Sequence, residues 1–110
     1  MSIPYAGLPP FQQRVADFVD AHDLRSSAEA RVLDIVSEIG EVAKVALKST
    51  KYGREPFAPG ADWDDEVADL FFSVVCLANS TAVDLEKALD AALAKYAARI
   101  AEHGRAGSGR

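Results

Sequence analysis

The 110-residue chain has a single cysteine, Cys76, and two histidines, His22 and His103. One cysteine excludes an internal disulfide and any cysteine-based zinc knuckle, and two histidines exclude a histidine-rich metal site. Basic residues are in the minority: twelve Lys and Arg stand against seventeen Asp and Glu, a net charge of −5. A protein that coats DNA or RNA needs a basic face to displace counterions, so no nucleic-acid polymer is expected as a partner. Long apolar runs are also missing. The longest, Leu70 to Ala78, is interrupted by Ser73 and Cys76 and is about half of the ~20 residues that a membrane span requires. No basic stretch followed by an apolar core opens the sequence, so neither a signal peptide nor a membrane partner is expected. With one unpaired thiol, these absences read as a reduced, cytoplasmic protein.

What is present is the composition of a folded domain, 49% hydrophobic and 26% charged. The five prolines fall in two places, at Pro4, Pro9 and Pro10 and at Pro56 and Pro59, and alanine is frequent beyond residue 80. Long stretches free of helix breakers and rich in good helix formers predict an all-α fold. Helix 1 is expected to start after Pro10 and run to about His22, with Phe11, Val15, Phe18 and Val19 at helical spacing. Helix 2 is expected from Ser26, in a capping box with Glu29, to about Ser49, carrying Val32, Leu33, Ile35, Val36, Ile39, Val42 and Leu47. The loop 53–61, with two Gly and two Pro, separates it from helix 3, which should be capped by Asp62 and run to about Asn79. Helix 4 should be capped by Asp84, run to about Glu102 and stop at Gly104. Residues 1–103 then form one domain and 104–110 a disordered tail. Short connections between helices 1 and 2, and between 3 and 4, predict antiparallel neighbours.

Helix 3 is unusual because Leu70, Phe71, Phe72, Val74, Val75, Leu77 and Ala78 point in nearly every direction around its axis. A helix that is apolar all round must be covered all round. A domain of this size buries only roughly 60–70% of the surface of its unfolded chain. The four helices are therefore expected to assemble into a dimeric or tetrameric helical bundle.

Glu38 and Glu41 lie three residues apart on helix 2, and Glu66 and Asp69 three apart on helix 3, so each pair shares a helix face. The pattern is E-x-x-E, twenty-four intervening residues, then E-x-x-D. E-x-x-E alone is common on solvated faces; a second pair beside an apolar helix favours a shared cluster. Four bare carboxylates repel, by roughly 4 kcal/mol for one pair at 4 Å and an effective dielectric of 20. Cations would offset this, and oxygen-only ligands select a hard ion, Mg²⁺ or Mn²⁺. Gly40, between the two glutamates, suits close helix packing or close ligand approach. Lys48 lies one heptad beyond Glu41, Lys51 and Tyr52 follow at the helix end, and Lys95 and Arg99 form an i, i+4 pair on helix 4. Each of these can meet an anion, whereas Lys44 and Lys87 read as solubilising residues. Asp34 falls on the Glu38 side, and Cys76 reads as a small core residue.

The segments Ser37-Glu38-Ile39-Gly40-Glu41 and Glu66-Val67-Ala68-Asp69-Leu70 resemble the MazG-like nucleotide pyrophosphohydrolases of the all-α NTP pyrophosphatase superfamily. The stretch 77–100, with its K-x-x-x-R, resembles that family's closing helix. The resemblance implies Mg²⁺-dependent hydrolysis of a (deoxy)nucleoside triphosphate to the monophosphate and pyrophosphate, by a homodimer or homotetramer. It implies Glu38, Glu41, Glu66 and Asp69 as metal ligands, and Glu38 or Glu41 as the catalytic carboxylate that orients or deprotonates the attacking water. Lys95 and Arg99, with Lys48, Lys51 and Tyr52, become substrate-binding residues. Two departures stand out: Ser37 replaces the first glutamate of the family's E-E-x-x-E, and Ser73 stands where several relatives have an aromatic residue or histidine. Phosphoribosyl-ATP is an alternative substrate, and a non-catalytic helical dimerisation module is an alternative of another class.

Overall fold

The computed structural model describes residues 7–104, and among them four helices: α1 Pro10–Ala21, α2 Ala28–Ser49, α3 Trp63–Ser80 and α4 Leu85–His103. The predicted all-α architecture and helix boundaries match to within about two residues. Residues 105–110, the bulk of the predicted tail, lie outside the described residues. Among the described residues no single helix is long and apolar enough to cross a membrane.

The caps show how local chemistry sets the boundaries. Pro10 opens α1, where its missing N–H is no loss. α2 is capped by Ser27, not Ser26: the Ser27 hydroxyl accepts the Ala30 N–H at 3.1 Å. That places Glu29 one position too early to reach back, so the predicted capping box is a simple serine cap. Asp62 occupies the N-cap of α3 but makes no side-chain cap bond, because its own backbone is already helical at φ −90 and ψ −2. Asp84 caps α4 as predicted, accepting the Lys87 N–H at 3.0 Å. Gly104 ends α4 at φ 74, a left-handed conformation that glycine adopts without strain.

α3 is the centre of the fold. It packs closely against α2 along much of its length and against α1 at its C-terminal half, and these are the two close helix pairs. The expected antiparallel pairings of α1 with α2 and of α3 with α4 do not occur. α3 and α4 are instead joined at a bend of 101°. The physical reason lies at the corner, where side-chain hydrogen bonds from α1 hold the chain as it leaves α3. α1 meets α3 partly through its aromatic residues, Phe11 stacking on Phe71 at 5.6 Å and Phe18 meeting Phe72 edge-on at 6.4 Å. Gln12, Ala16 and Val19 are buried, and the Gln12 amide finds a complete set of partners inside.

The core is small: Ala16, Val19, Val75, Cys76 and Ala78 are its buried apolar residues. Phe71 on α3, Val32, Leu33, Val36 and Ile39 on α2, and Leu89, Leu93, Tyr96 and Ile100 on α4 remain exposed. The four α4 residues alternate at spacings of four and three, the register of a helix–helix seam. α4 itself buries none of its residues. The radius of gyration is 17.2 Å, against about 13 Å for a compact chain of this length. The fold is thus open, with α4 projecting from it.

Candidate metal centre

α2 and α3 bring Glu38, Glu66 and Asp69 together, with one carboxylate oxygen from each lying within 4.8 Å of the others. Glu38 and Glu66 are half-buried and Asp69 is exposed. Helical geometry makes this possible: the i, i+3 spacing of Glu66 and Asp69 aligns them on the face of α3 that meets α2. Glu41 lies outside that trio and is exposed, yet its charge is the strongest neighbouring influence on Glu66. Desolvation raises the Glu66 carboxyl above its ordinary pKa, and the negative charges of Glu41, Asp69, Glu38 and Asp62 raise it further. The donor set suits a hard divalent cation. Mg²⁺ takes oxygen ligands at ~2.1 Å, so ligands on opposite sides of it are about 4.2 Å apart, and small side-chain rotations would close the trio to that size.

Gly40 faces open space, since a methyl group added there would meet no atom within 4 Å. Close packing between helices within the chain is therefore not its role.

The basic residues are placed differently. Lys48 sits in the last turn of α2. Lys51 and Tyr52 follow in left-handed backbone, φ 50 and 60; Lys51 pairs with Glu55 at 3.3 Å, and Tyr52 is largely exposed. Lys95 lies over the Tyr96 ring at 5.3 Å. Lys95 and Arg99 are not brought to the carboxylates within the chain. Glu66 lies fourteen residues before the end of α3 and Arg99 fourteen beyond the start of α4; at 1.5 Å per residue and a 101° bend they are on the order of 25 Å apart.

A cleft of about 320 Å³ opens between α1, the start of α2 and the end of α3. Ala16, Val19 and Cys76 form its apolar wall, and Asp20, Arg31 and Asn79 are among its polar residues. The Arg31 guanidinium is nine-tenths buried; it donates to the Leu24 carbonyl and pairs with Asp34 at 3.6 Å. Burial pushes the Cys76 thiol up; Arg31 opposes this shift and Asp34 adds to it. The thiol is free and buried in the wall of the cleft. Arg31 lies seven residues before Glu38, and Cys76 seven after Asp69. Two turns of helix separate cleft from carboxylates on both α2 and α3, roughly 10 Å along one seam. Sequence reading passed over Arg31, Gln12 and Asn79. The available signal was a polar residue at an i, i+4, i+7 position shared with small apolar ones, as Gln12 shares with Ala16 and Val19.

Comparison with known proteins identifies the family. The MazG nucleotide pyrophosphohydrolase domain matches residues 26–103, a span holding both acidic pairs and α4. An uncharacterized Bacillus subtilis (strain 168) protein, YpjD, is 33% identical over 73 residues, which cover 64% of this chain and 64% of YpjD. No solved structure gives a significant match. With the family domain spanning most of its length, the chain belongs to the MazG nucleotide pyrophosphohydrolase family.

Proposed function

We propose that the chain hydrolyses a nucleoside triphosphate to the monophosphate and pyrophosphate, using Mg²⁺ or Mn²⁺ held by Glu38, Glu66 and Asp69, with Glu41 beside them. The observation that carries this reading is the convergence of three carboxylate oxygens within 4.8 Å in a chain of this family. A divalent cation there would supply charge neutralisation of the polyphosphate and a lower pKa for water. Glu41 and Glu38 are the carboxylates that orient the attacking water and take its proton. The water oxygen bonds to the α-phosphorus as the bond from that phosphorus to the α–β bridging oxygen breaks. The electron pair leaves with pyrophosphate, and the proton passes from the carboxylate to solvent.

The cleft two turns along the seam takes the nucleoside. Its distance from the carboxylates is comparable to the span from the middle of a triphosphate to its base. Its volume of about 320 Å³ lies at the small end of ligand pockets, which suits a single base and sugar. A nucleotide substrate and a reduced Cys76 both fit a cytoplasmic setting.

The active assembly is a homo-oligomer. Lys95 and Arg99 cannot reach the carboxylates of their own protomer, and their helix carries the exposed seam Leu89, Leu93, Tyr96 and Ile100. A second copy that covers this seam with the exposed apolar face of its α2 brings both cations toward its own acidic cluster. Lys48, Lys51 and Tyr52, at the end of the helix that bears Glu38 and Glu41, approach the same polyphosphate.

The test is pyrophosphate release from canonical and oxidised nucleotides with Mg²⁺, with Mn²⁺ and with chelator. Release from at least one nucleotide, abolished by chelator and by Glu66→Gln, is the expected result. A folded protein that releases none under any condition would end the proposal.

A further inference from the structure

Gln12 on α1 is completely buried, an unusual position for an uncharged amide this long. Its Nε2 donates to Asn79 Oδ1 at 3.0 Å and to the Val83 carbonyl at 2.8 Å. Its Oε1 accepts the Leu85 N–H at 2.7 Å. Asn79 in turn donates from Nδ2 to the Gln12 carbonyl at 3.0 Å. One side chain thus grips the last turn of α3, the connecting loop and the first turn of α4. The loop it holds includes Ala82 at φ 58, a left-handed conformation that costs a non-glycine residue about 1–2 kcal/mol.

These bonds matter because little else orients α4, which buries none of its residues and packs closely against no other helix of the protomer. Its direction is set at the corner. Hydrogen bonds prescribe an angle in a way that apolar contact does not, and a fully satisfied buried network favours one arrangement. The lever is long. Arg99 lies about 21 Å along α4, so a swing of 10° moves it by about 4 Å, enough to break any hydrogen bond.

We infer that Gln12 is a positioning residue for phosphate binding: through Asn79, Val83 and Leu85 it fixes the α3–α4 angle that aims Lys95 and Arg99 of one copy at the acidic cluster of another. This rests on the reading above, in which those two cations meet the polyphosphate. Gln12 touches neither phosphate nor carboxylate, so its effect must appear through Arg99 and leave the α2–α3 site intact.

The experiment measures binding of Mn²⁺ alone, and of inorganic pyrophosphate with Mn²⁺ present, to the full chain by calorimetry. The variants are Gln12→Met, which keeps the shape without hydrogen bonds, and Gln12→Asn, a milder change that withdraws the amide by one methylene. Arg99→Ala and the double variants complete the cycle. Mn²⁺ affinity should stay within about twofold, which also shows that each variant is folded. Pyrophosphate affinity should fall at least tenfold in a folded Gln12 variant and in Arg99→Ala. The double variant should be no weaker than the weaker single one, the mark of residues acting as one unit. Additive losses, or Mn²⁺ affinity that falls in parallel, would assign Gln12 a general structural role and overturn the inference. Wild-type pyrophosphate affinity in a folded Gln12 variant, with loss in Arg99→Ala, would also overturn it while leaving the site reading intact. Undiminished affinity in Arg99→Ala would remove the phosphate role of Arg99, and the role of Gln12 with it.

Discussion

Glu38 on α2 and Glu66 on α3 face each other across the helix seam, with carboxylate oxygens within 4.8 Å and no basic side chain paired to either among the described residues. Ion pairs exist elsewhere, at Arg25, Arg31 and Lys51. The seam instead concentrates charge of one sign, an arrangement that costs stability until something positive binds.

The first consequence is a pH dependence. The Glu66 carboxyl is raised above its ordinary pKa, by desolvation and then by Glu41, Asp69, Glu38 and Asp62. A group whose pKa is higher in the folded state stabilises the fold most below its unfolded value, and that stabilisation is lost as pH rises through the folded value. The melting temperature of the metal-free chain should therefore contain a component that falls as pH climbs from about 4.5 through the raised value. Mg²⁺ at neutral pH should restore it, and Glu66→Gln should flatten it. A metal-free melting temperature that rises across this interval, with no reversal in Glu66→Gln, would contradict the repulsion.

Glu41→Gln and Asp69→Asn hardly change side-chain volume but remove a negative charge from the cluster. The metal-free variants should be as stable as the parent or more so. Their kcat/KM for nucleotide hydrolysis should drop at least a hundredfold, about 2.7 kcal/mol. The stabilisation by Mg²⁺ should shrink in the same variants. An ordinary ion-paired surface would behave in the opposite way, losing stability and keeping metal response.

Self-association can be separated from catalysis by complementation. Light scattering at micromolar concentration should give at least twice 11.8 kDa. Leu93→Glu, in the exposed α4 seam, should dissociate the assembly and abolish hydrolysis. Arg99→Ala and Glu66→Gln, each inactive alone, should regain activity when unfolded and refolded together. A mixed dimer then contains one site with both intact residues. A stable, active monomer, or a mixture that stays inactive, would refute the shared site.

Filling the cleft should affect nucleosides and spare phosphates. Ala16→Leu, on the cleft wall, should raise KM for the nucleotide at least tenfold, about 1.4 kcal/mol. Inorganic pyrophosphate should bind to it as to the parent. Equal weakening of both ligands would move the nucleoside elsewhere.

Gly40→Ala probes what approaches the helix between Glu38 and Glu41. In a protomer where the added methyl meets nothing, the change should raise helix stability by about 1 kcal/mol. If a substrate or a second copy comes close there, hydrolysis or assembly should fall despite that gain. A variant both more stable and fully active would mean that nothing approaches.

Much was decided by the sequence alone. Helix boundaries follow from local chemistry: Pro10 at a first turn, the Asp84 cap, the Gly104 stop and the broken stretch between residues 53 and 61 act within a few residues of themselves. The paired carboxylates were legible for the same reason, since a three-residue spacing puts two side chains on one helix face whatever the rest of the chain does. The tertiary structure alone decided which helices meet. Both α1 and α2 pack on α3, and α4 turns away at a corner where Gln12 finds its partners at Asn79, Val83 and Leu85, 67 to 73 residues distant. No local pattern reports such bonds. The helix face that Gln12 shares with Ala16 and Val19 marks it for burial, but only the folded chain shows that its hydrogen bonds are complete. The same holds for the distance between Arg99 and Glu66: residue spacing supplies the length of each helix arm, and the angle between the arms comes from the corner.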